Sequence, residues 1–97
     1  MAVVIIMENP NLGTDMYDAV NAKMDVVANP PEGLICHTAG VAEGNFRIID
    51  VWESKDDYDR FNKERLGPAI QEVSQGQAPP GGPPSEKVYE LHSVIAP

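Results

Sequence analysis

The sequence predicts an α+β fold in which a four-stranded antiparallel sheet carries two helices on one face. Four short segments are dense in Val, Ile and aromatic residues, two stretches repeat apolar residues every three or four positions, and their order is β, α, β, β, α, β. Right-handed crossovers turn that order into an antiparallel sheet with both helices on the same side. The strands look apolar on both faces, and two helices cover only one. A second copy of the sheet is the simplest cover for the other, so a homodimer is expected.

Residues 2–7 run Ala-Val-Val-Ile-Ile-Met without a polar interruption, the pattern of a central strand covered on both sides. The run ends at Glu8, Asn9 and Pro10. After a loop containing Gly13, Thr14 or Asp15 caps a helix in which Tyr17, Val20, Met24 and Val27 form one buried stripe. Asn29, Pro30, Pro31, Glu32 and Gly33 break it. A second strand over 34–41 alternates Leu34, Cys36 and Thr38 with Ile35, His37 and Ala39. Glu43, Gly44 and Asn45 turn the chain into a third strand, 46–53, as an antiparallel hairpin. On that strand Phe46, Ile48, Asp50 and Trp52 share one face, and Ile49 and Val51 the other. Ser54 caps the second helix, with Asp56 and Asp57 in its electropositive first turn. Its inward stripe is Tyr58, Phe61, Arg65 and Leu66, and Asp56 with Arg60 and Asp59 with Lys63 are oppositely charged four residues apart. Gly67 and Pro68 end this segment, and Pro68 opens a second short turn that buries Ala69, Ile70 and Val73. Residues 75–86 contain Gln-Ala-Pro-Pro-Gly-Gly-Pro-Pro, which cannot supply a ladder of amide donors and is expected as an exposed loop. The last strand, 87–95, points Tyr89, Leu91 and Ser93 one way and Val88, Glu90, His92 and Val94 the other.

Ninety-seven residues make one domain with one core. The net charge of −8, from 7 basic and 15 acidic side chains, repels nucleic acid and anionic membrane surfaces. Small neutral or cationic ligands remain. A single cysteine, Cys36, excludes an intrachain disulfide, and no Cys/His spacing suits zinc; a metal-free protein of the reducing cytoplasm is expected. The apolar run at 2–7 has no basic flank and is too short to span a bilayer, so it reads as neither signal peptide nor anchor.

Val51-Trp52-Glu53-Ser54, entering a helix with Tyr58 and Phe61 and closing with Leu66-Gly67-Pro68-Ala69, resembles small bacterial proteins of the dimeric α+β barrel superfamily, in the branch named for antibiotic biosynthesis monooxygenases. Gly33-Leu34-Ile35, His37 and Gly40, placed before the hairpin, fit the same pattern. The likeness covers most of the chain outside the Pro-rich segment. It implies a ferredoxin-like sheet that meets a second sheet in the dimer, and a ligand cavity between the sheet and the helices of each subunit. The branch mixes cofactor-free oxygenases, haem-degrading enzymes and members of unknown role, so the resemblance speaks for fold more than for activity.

By that resemblance Trp52 borders the cavity; the plainer reading is a core or interface anchor. Asn9 matches the Asn that haem-degrading relatives place over bound oxygen, or simply opens a loop before Pro10. Haem itself fits poorly. The relatives supply an axial His from the second helix, whereas Asn62, Lys63, Glu64, Arg65 and Leu66 occupy that region and both His37 and His92 lie on strands. His37 is a candidate base toward an acidic phenol, with Asp50 as its hydrogen-bond acceptor or as a substrate contact. Each also has a purely structural reading as a satisfied polar group. Tyr58 and Tyr89 would lend hydroxyls to the pocket that Phe61 lines, or fill the core, and Arg65 would hold an anionic substrate group or snorkel. Cys36 has the opposite parity to His37, which argues against a Cys/His nucleophile. Two functions follow. One is a cofactor-independent monooxygenase, needing no cofactor, that acts on a small aromatic or polyketide-like molecule. The other is a non-catalytic homodimeric module that binds a small apolar ligand or stabilises an assembly. No Gly-rich phosphate loop, metal cluster or nucleophile elbow forces catalysis.

Overall fold

The uninterrupted Val-Ile run takes a central place in the sheet. Strand β1 (Val3–Pro10) is flanked on one side by β3 (Asn45–Trp52) and on the other by β4 (Ser85–Glu90), and β2 (Leu34–Ala42) closes the antiparallel order β2-β3-β1-β4. This computed structural model describes residues 2–10, 14–76 and 85–95. The expected loop at Gly13 and the Pro/Gly-rich core of the 75–86 segment, residues 77–84, lie outside the described residues. Helix α1 (Thr14–Met24) and a second helical run lie over one face, giving the α+β, ferredoxin-like arrangement that the sequence predicts.

Pairing fixes which side chains share a face. Val3 opposes Trp52, Ile5 opposes Asp50, Met7 opposes Ile48 and Asn9 opposes Phe46, so these eight look toward the helices. Val4, Ile6, Glu8, Arg47, Ile49 and Val51 look the other way. The core gathers on the helix side, where Ile5, Trp52 and Tyr58 are fully buried and Met7, Leu34 and Phe61 pack against them. The Trp52 ring meets Tyr58 edge-on at 5.7 Å and Phe61 at 5.3 Å. Aromatic pairs of this kind add about 0.5–1.5 kcal/mol beyond the area they bury.

The β2–β3 hairpin turns on two residues, with Asn45 already in the ladder. Glu43 and Gly44 both have positive φ, 55° and 79°, the twist that matches right-handed strands. At the start of β2 a bulge between Leu34 and Cys36 leaves Ile35 unpaired and 53 % exposed. It overturns the expected alternation, because Leu34 now shares the helix-facing side with His37 and Ala39, while Cys36 and Thr38 face away. Just before it, Gly33 sits at φ 89° with its α-carbon against Asp57, where any Cβ would overlap that carboxylate.

Several element boundaries differ from those the sequence predicts. Strand β1 continues through Asn9, which therefore stands in the ladder opposite Phe46 and does not open a loop. Helix α1 stops at Met24 because Asp25 enters the left-handed region at φ 54°, so Val27 leaves the stripe and is 93 % exposed. Strand β4 starts at Ser85 and ends at Glu90. The second helix does not end at Gly67. It runs as α2 (Lys55–Phe61), a π-helical turn (Asn62–Leu66) and α3 (Gly67–Ser74), with the Gly67 amide donating to the Asn62 carbonyl five residues back. Ser54 caps α2 by accepting from the Asp57 amide at 3.2 Å, as expected. The expected pairs Asp56–Arg60 and Asp59–Lys63 do not form; Lys55 bonds Asp59 at 3.0 Å and Arg60 bonds Asp57 at 3.2 Å. Of the residues assigned to the short turn, Ala69 is buried, Val73 partly buried and Ile70 exposed at 40 %.

Candidate active site

Between the helices and the sheet is a cavity of about 410 Å³, within the range of about 300–1,000 Å³ usual for small-molecule sites. Its walls are overwhelmingly apolar, from Met16, Val20 and Met24 on α1, Ile48 and Trp52 on β3, and Phe61, Leu66 and Ile70 on the second helical run. The π turn decides that last group. It inserts an extra residue into the turn, and there Leu66 stays on the cavity wall as expected while Arg65 does not. Arg65 instead donates to the Met24 carbonyl at 2.9 Å, satisfying the free end of α1, and lies 5.8 Å from the Phe61 centroid. The expectation that Arg65 faces substrate is corrected on that ground: it lies outside the lining and clasps α1.

A chain of polar side chains is set into this apolar wall. Asp50, only 4 % exposed, accepts from His37 Nδ1 at 2.6 Å through one oxygen and from the Trp52 indole N–H at 3.3 Å through the other. A buried carboxylate needs such partners, and strand geometry supplies them: His37 stands directly across the ladder and Trp52 two residues on, both on the face of Asp50. The far nitrogen of the ring, Nε2, bonds the Tyr17 hydroxyl from α1. Tyr17 is braced by Phe46, with centroids 4.9 Å apart. His37, Asp50 and Trp52 thus converge as the sequence predicts, and Tyr17 joins them unannounced. Its signal was a polar-tipped aromatic on a stripe otherwise made of Val20 and Met24.

Asn9 and Tyr58 also line the cavity. The Asn9 side-chain oxygen, Oδ1, is buried and finds no hydrogen-bond partner among the described residues. The Tyr58 hydroxyl donates within 3.3 Å of both Met7 Sδ and Glu86 Oε2. Burial pushes its phenol up to about 12, opposed by Asn62 and reinforced by the Glu86 charge, so Tyr58 stays protonated at neutral pH. Tyr89 is elsewhere. Paired with Val4, it points to the opposite face of the sheet and is 51 % exposed, so the expectation that it reaches the pocket is corrected. Cys36 also lies on that far side, away from His37. His92 lies beyond the end of β4 and is exposed. Among the described residues no group of three His, Cys, Asp or Glu side chains is placed to hold a metal ion, and no helix is long and apolar enough to cross a membrane.

No protein-family model matches the chain, and no curated protein matches it. Solved structures do. A monooxygenase from the gene ActVA-Orf6 of Streptomyces coelicolor, in complex with nanaomycin D, superposes with TM-score 0.67 at 17% identity over 99% of this chain and 92% of its own. A mutant of SnoaB, a cofactor-independent oxygenase from Streptomyces nogalater, gives 0.67 at 12% identity over 97% and 96%. NE2512 of Nitrosomonas europaea, a protein of unknown function, gives 0.71 at 14% over 99% and 94%. At these identities the likeness is one of fold: the chain has the fold of the antibiotic biosynthesis monooxygenase-like proteins, as its sequence suggests.

Proposed function

We propose that this chain is a cofactor-independent monooxygenase that oxidises a small aromatic or polyketide-like phenol. The observation that carries the reading is the His37–Asp50 pair, 2.6 Å apart, set into the wall of an otherwise apolar cavity of about 410 Å³. Two of the fold relatives are a monooxygenase and a cofactor-independent oxygenase, which supports it. The chemistry needs few groups. A base removes the proton of an anthrone-type substrate, and the electron-rich anion gives one electron to dioxygen. The resulting radical and superoxide join in a carbon–oxygen bond, and the hydroperoxide loses water to leave a carbonyl. One oxygen atom stays on carbon; the other leaves with the two hydrogens of the original methylene. Dry walls keep the anion from being reprotonated by solvent. Trp52, Phe61, Tyr58 and Asn9 form the substrate-binding surface in this reading.

Oxygen uptake with an anthrone substrate tests the proposal. Uptake above buffer that His37→Ala removes is expected; no uptake, or uptake indifferent to that change, refutes it. Ligand binding without uptake would leave the non-catalytic module. A haem-degrading role lacks its ligand, because residues 62–66 carry no histidine; titrating haem is expected to give no Soret shift. We further propose that single-domain subunits pair as cytoplasmic homodimers through the bare side of the sheet, supported by Ile49 and Tyr89, which are 39 % and 51 % exposed there. Light scattering then gives twice the 10.5 kDa of one chain, and a monomer mass refutes it.

A further inference from the structure

His37 has no nitrogen to spare. Asp50, as a carboxylate, can only accept, so Nδ1 carries the hydrogen of their 2.6 Å contact and Nε2 is left as an acceptor. The Tyr17 hydroxyl fills that lone pair. The two rings lie within 4° of parallel with centroids 5.9 Å apart, and the hydroxyl is the part of Tyr17 that meets Nε2. A proton from a ligand therefore has no direct landing place on the ring, whereas Tyr17 also lines the cavity and its hydroxyl oxygen keeps acceptor capacity. Four titratable side chains line the cavity among the described residues: Tyr17, His37, Asp50 and Tyr58. Asp50 is engaged on both oxygens, and Tyr58 is turned to Met7 and Glu86.

We infer that Tyr17 is the catalytic group that takes the substrate proton, with His37 and Asp50 behind it as a relay, and that the cavity selects ligands presenting an acidic hydroxyl. The inference rests on the proposed oxygenase for what happens to the anion, but the proton transfer stands apart from it. In the step, the O–H bond of the substrate's phenol (enol) tautomer breaks and its electron pair stays on the substrate oxygen, giving the same anion as loss of a methylene proton. The proton joins Tyr17 Oη while the original Tyr17 proton passes to His37 Nε2. Tyr17 ends neutral, the imidazolium is paired with Asp50, and no oxidant or reductant takes part. The His37 side chain is 32 % exposed on edge strand β2, which gives its proton an exit to water between turnovers. The titratable groups facing the ring are Tyr17 from α1 and Asp50 from β3.

The test uses alizarin, a hydroxyanthraquinone whose phenolate absorbs at longer wavelength than its neutral form. Bound to the unmodified protein one pH unit below its ionisation midpoint in buffer, it should show the phenolate band. Bound to Tyr17→Phe with similar affinity, it should remain neutral, its ionisation in the site moved up by at least one pH unit. The proposal falls if Tyr17→Phe ionises the bound dye as the unmodified protein does, or if the unmodified protein fails to bind it. The imidazole resonances of His37, followed by NMR without ligand, should change in Tyr17→Phe while Nδ1 keeps the hydrogen it donates to Asp50; an unchanged ring overturns the Tyr17 contact and the relay with it. With anthrone, Tyr17→Phe should lower kcat by about a hundredfold at nearly constant KM. The two readings separate cleanly. No oxygen uptake with Tyr17-dependent ionisation of the dye sinks the oxygenase and keeps the relay; normal uptake with Tyr17-independent ionisation does the reverse.

Discussion

The two faces of one sheet are built from the same strands, yet they do different things with their apolar residues. On the helix side, Ile5, Trp52 and Tyr58 are packed out of water, and beyond them a cavity is left open with Asp50, His37 and Tyr17 linked along its wall. On the far side, Val4 is buried between neighbours, but Ile49 and Tyr89 are exposed and a Glu8–Arg47 ion pair crosses from β1 to β3. The groove there, about 240 Å³, is bounded by Ile6, Glu8, Arg47, Ile49, Ser85 and Lys87. Burial alone therefore does not mark a site. What separates the faces is where the polar groups go: a connected chain inside apolar walls on one, an exposed ion pair among apolar side chains on the other.

The sharpest way to break the comparison is to empty the helix side. Trp52 is fully buried and touches Tyr58 and Phe61, so Trp52→Ala should lower stability by about 3–5 kcal/mol in urea denaturation. A loss below about 1 kcal/mol would mean that its surroundings are slack and that the cavity is no designed space. Next comes alkaline pH. Burial holds the Tyr58 phenol at about 12 against an ordinary 10.0, so the folded state keeps a proton that the unfolded chain gives up. Nothing changes below pH 10, and stability falls as pH rises from 10 to 12, by up to about 2–3 kcal/mol. Of the three tyrosines, one should ionise near 12 in an absorbance titration, and Tyr58→Phe should remove that late step.

Asp50→Ala should cost about 1–3 kcal/mol, because it strips the acceptor from both the His37 ring and the Trp52 indole. Thermal denaturation measures it, and adding Tyr17→Phe should cost less in that background than alone, since the ring is then free to turn. The convergence of His37 and Asp50 was legible because β3 alternates cleanly from Phe46 to Trp52 and the Glu43–Gly44 turn sets the register. Other parts were not. A bulge such as that at Ile35 has no signature in a run of apolar residues, and it moved Leu34 to the face of His37. The π turn leaves no propensity signal either, so the departure of Arg65 from the inward stripe, which Leu66 keeps, could not be read. The face of Tyr89 depends on its pairing with Val4, which period-two alternation within β4 cannot reveal. Tyr17 was read as packing because the rotation of a helix over a sheet is a tertiary fact, absent from the helix's own periodicity.

The smallest expected effect bears on the other face. Glu8 accepts from Arg47 Nε at 2.6 Å, and the two side chains are 32 % and 46 % exposed in the single chain. An exposed pair of this kind has a coupling energy of about 0.2–1 kcal/mol, because water and salt screen the attraction and ordering two long side chains costs entropy. A double-mutant cycle with Glu8→Ala and Arg47→Ala should return that value in protein diluted until light scattering reports a monomer. If a twin sheet covers the face, the same cycle at high concentration loses its solvent screening and the coupling should rise above about 1 kcal/mol and become less sensitive to salt. Equal couplings in monomer and dimer would place the dimer contact on another surface, and the Glu8–Arg47 face would then be open to water as it stands.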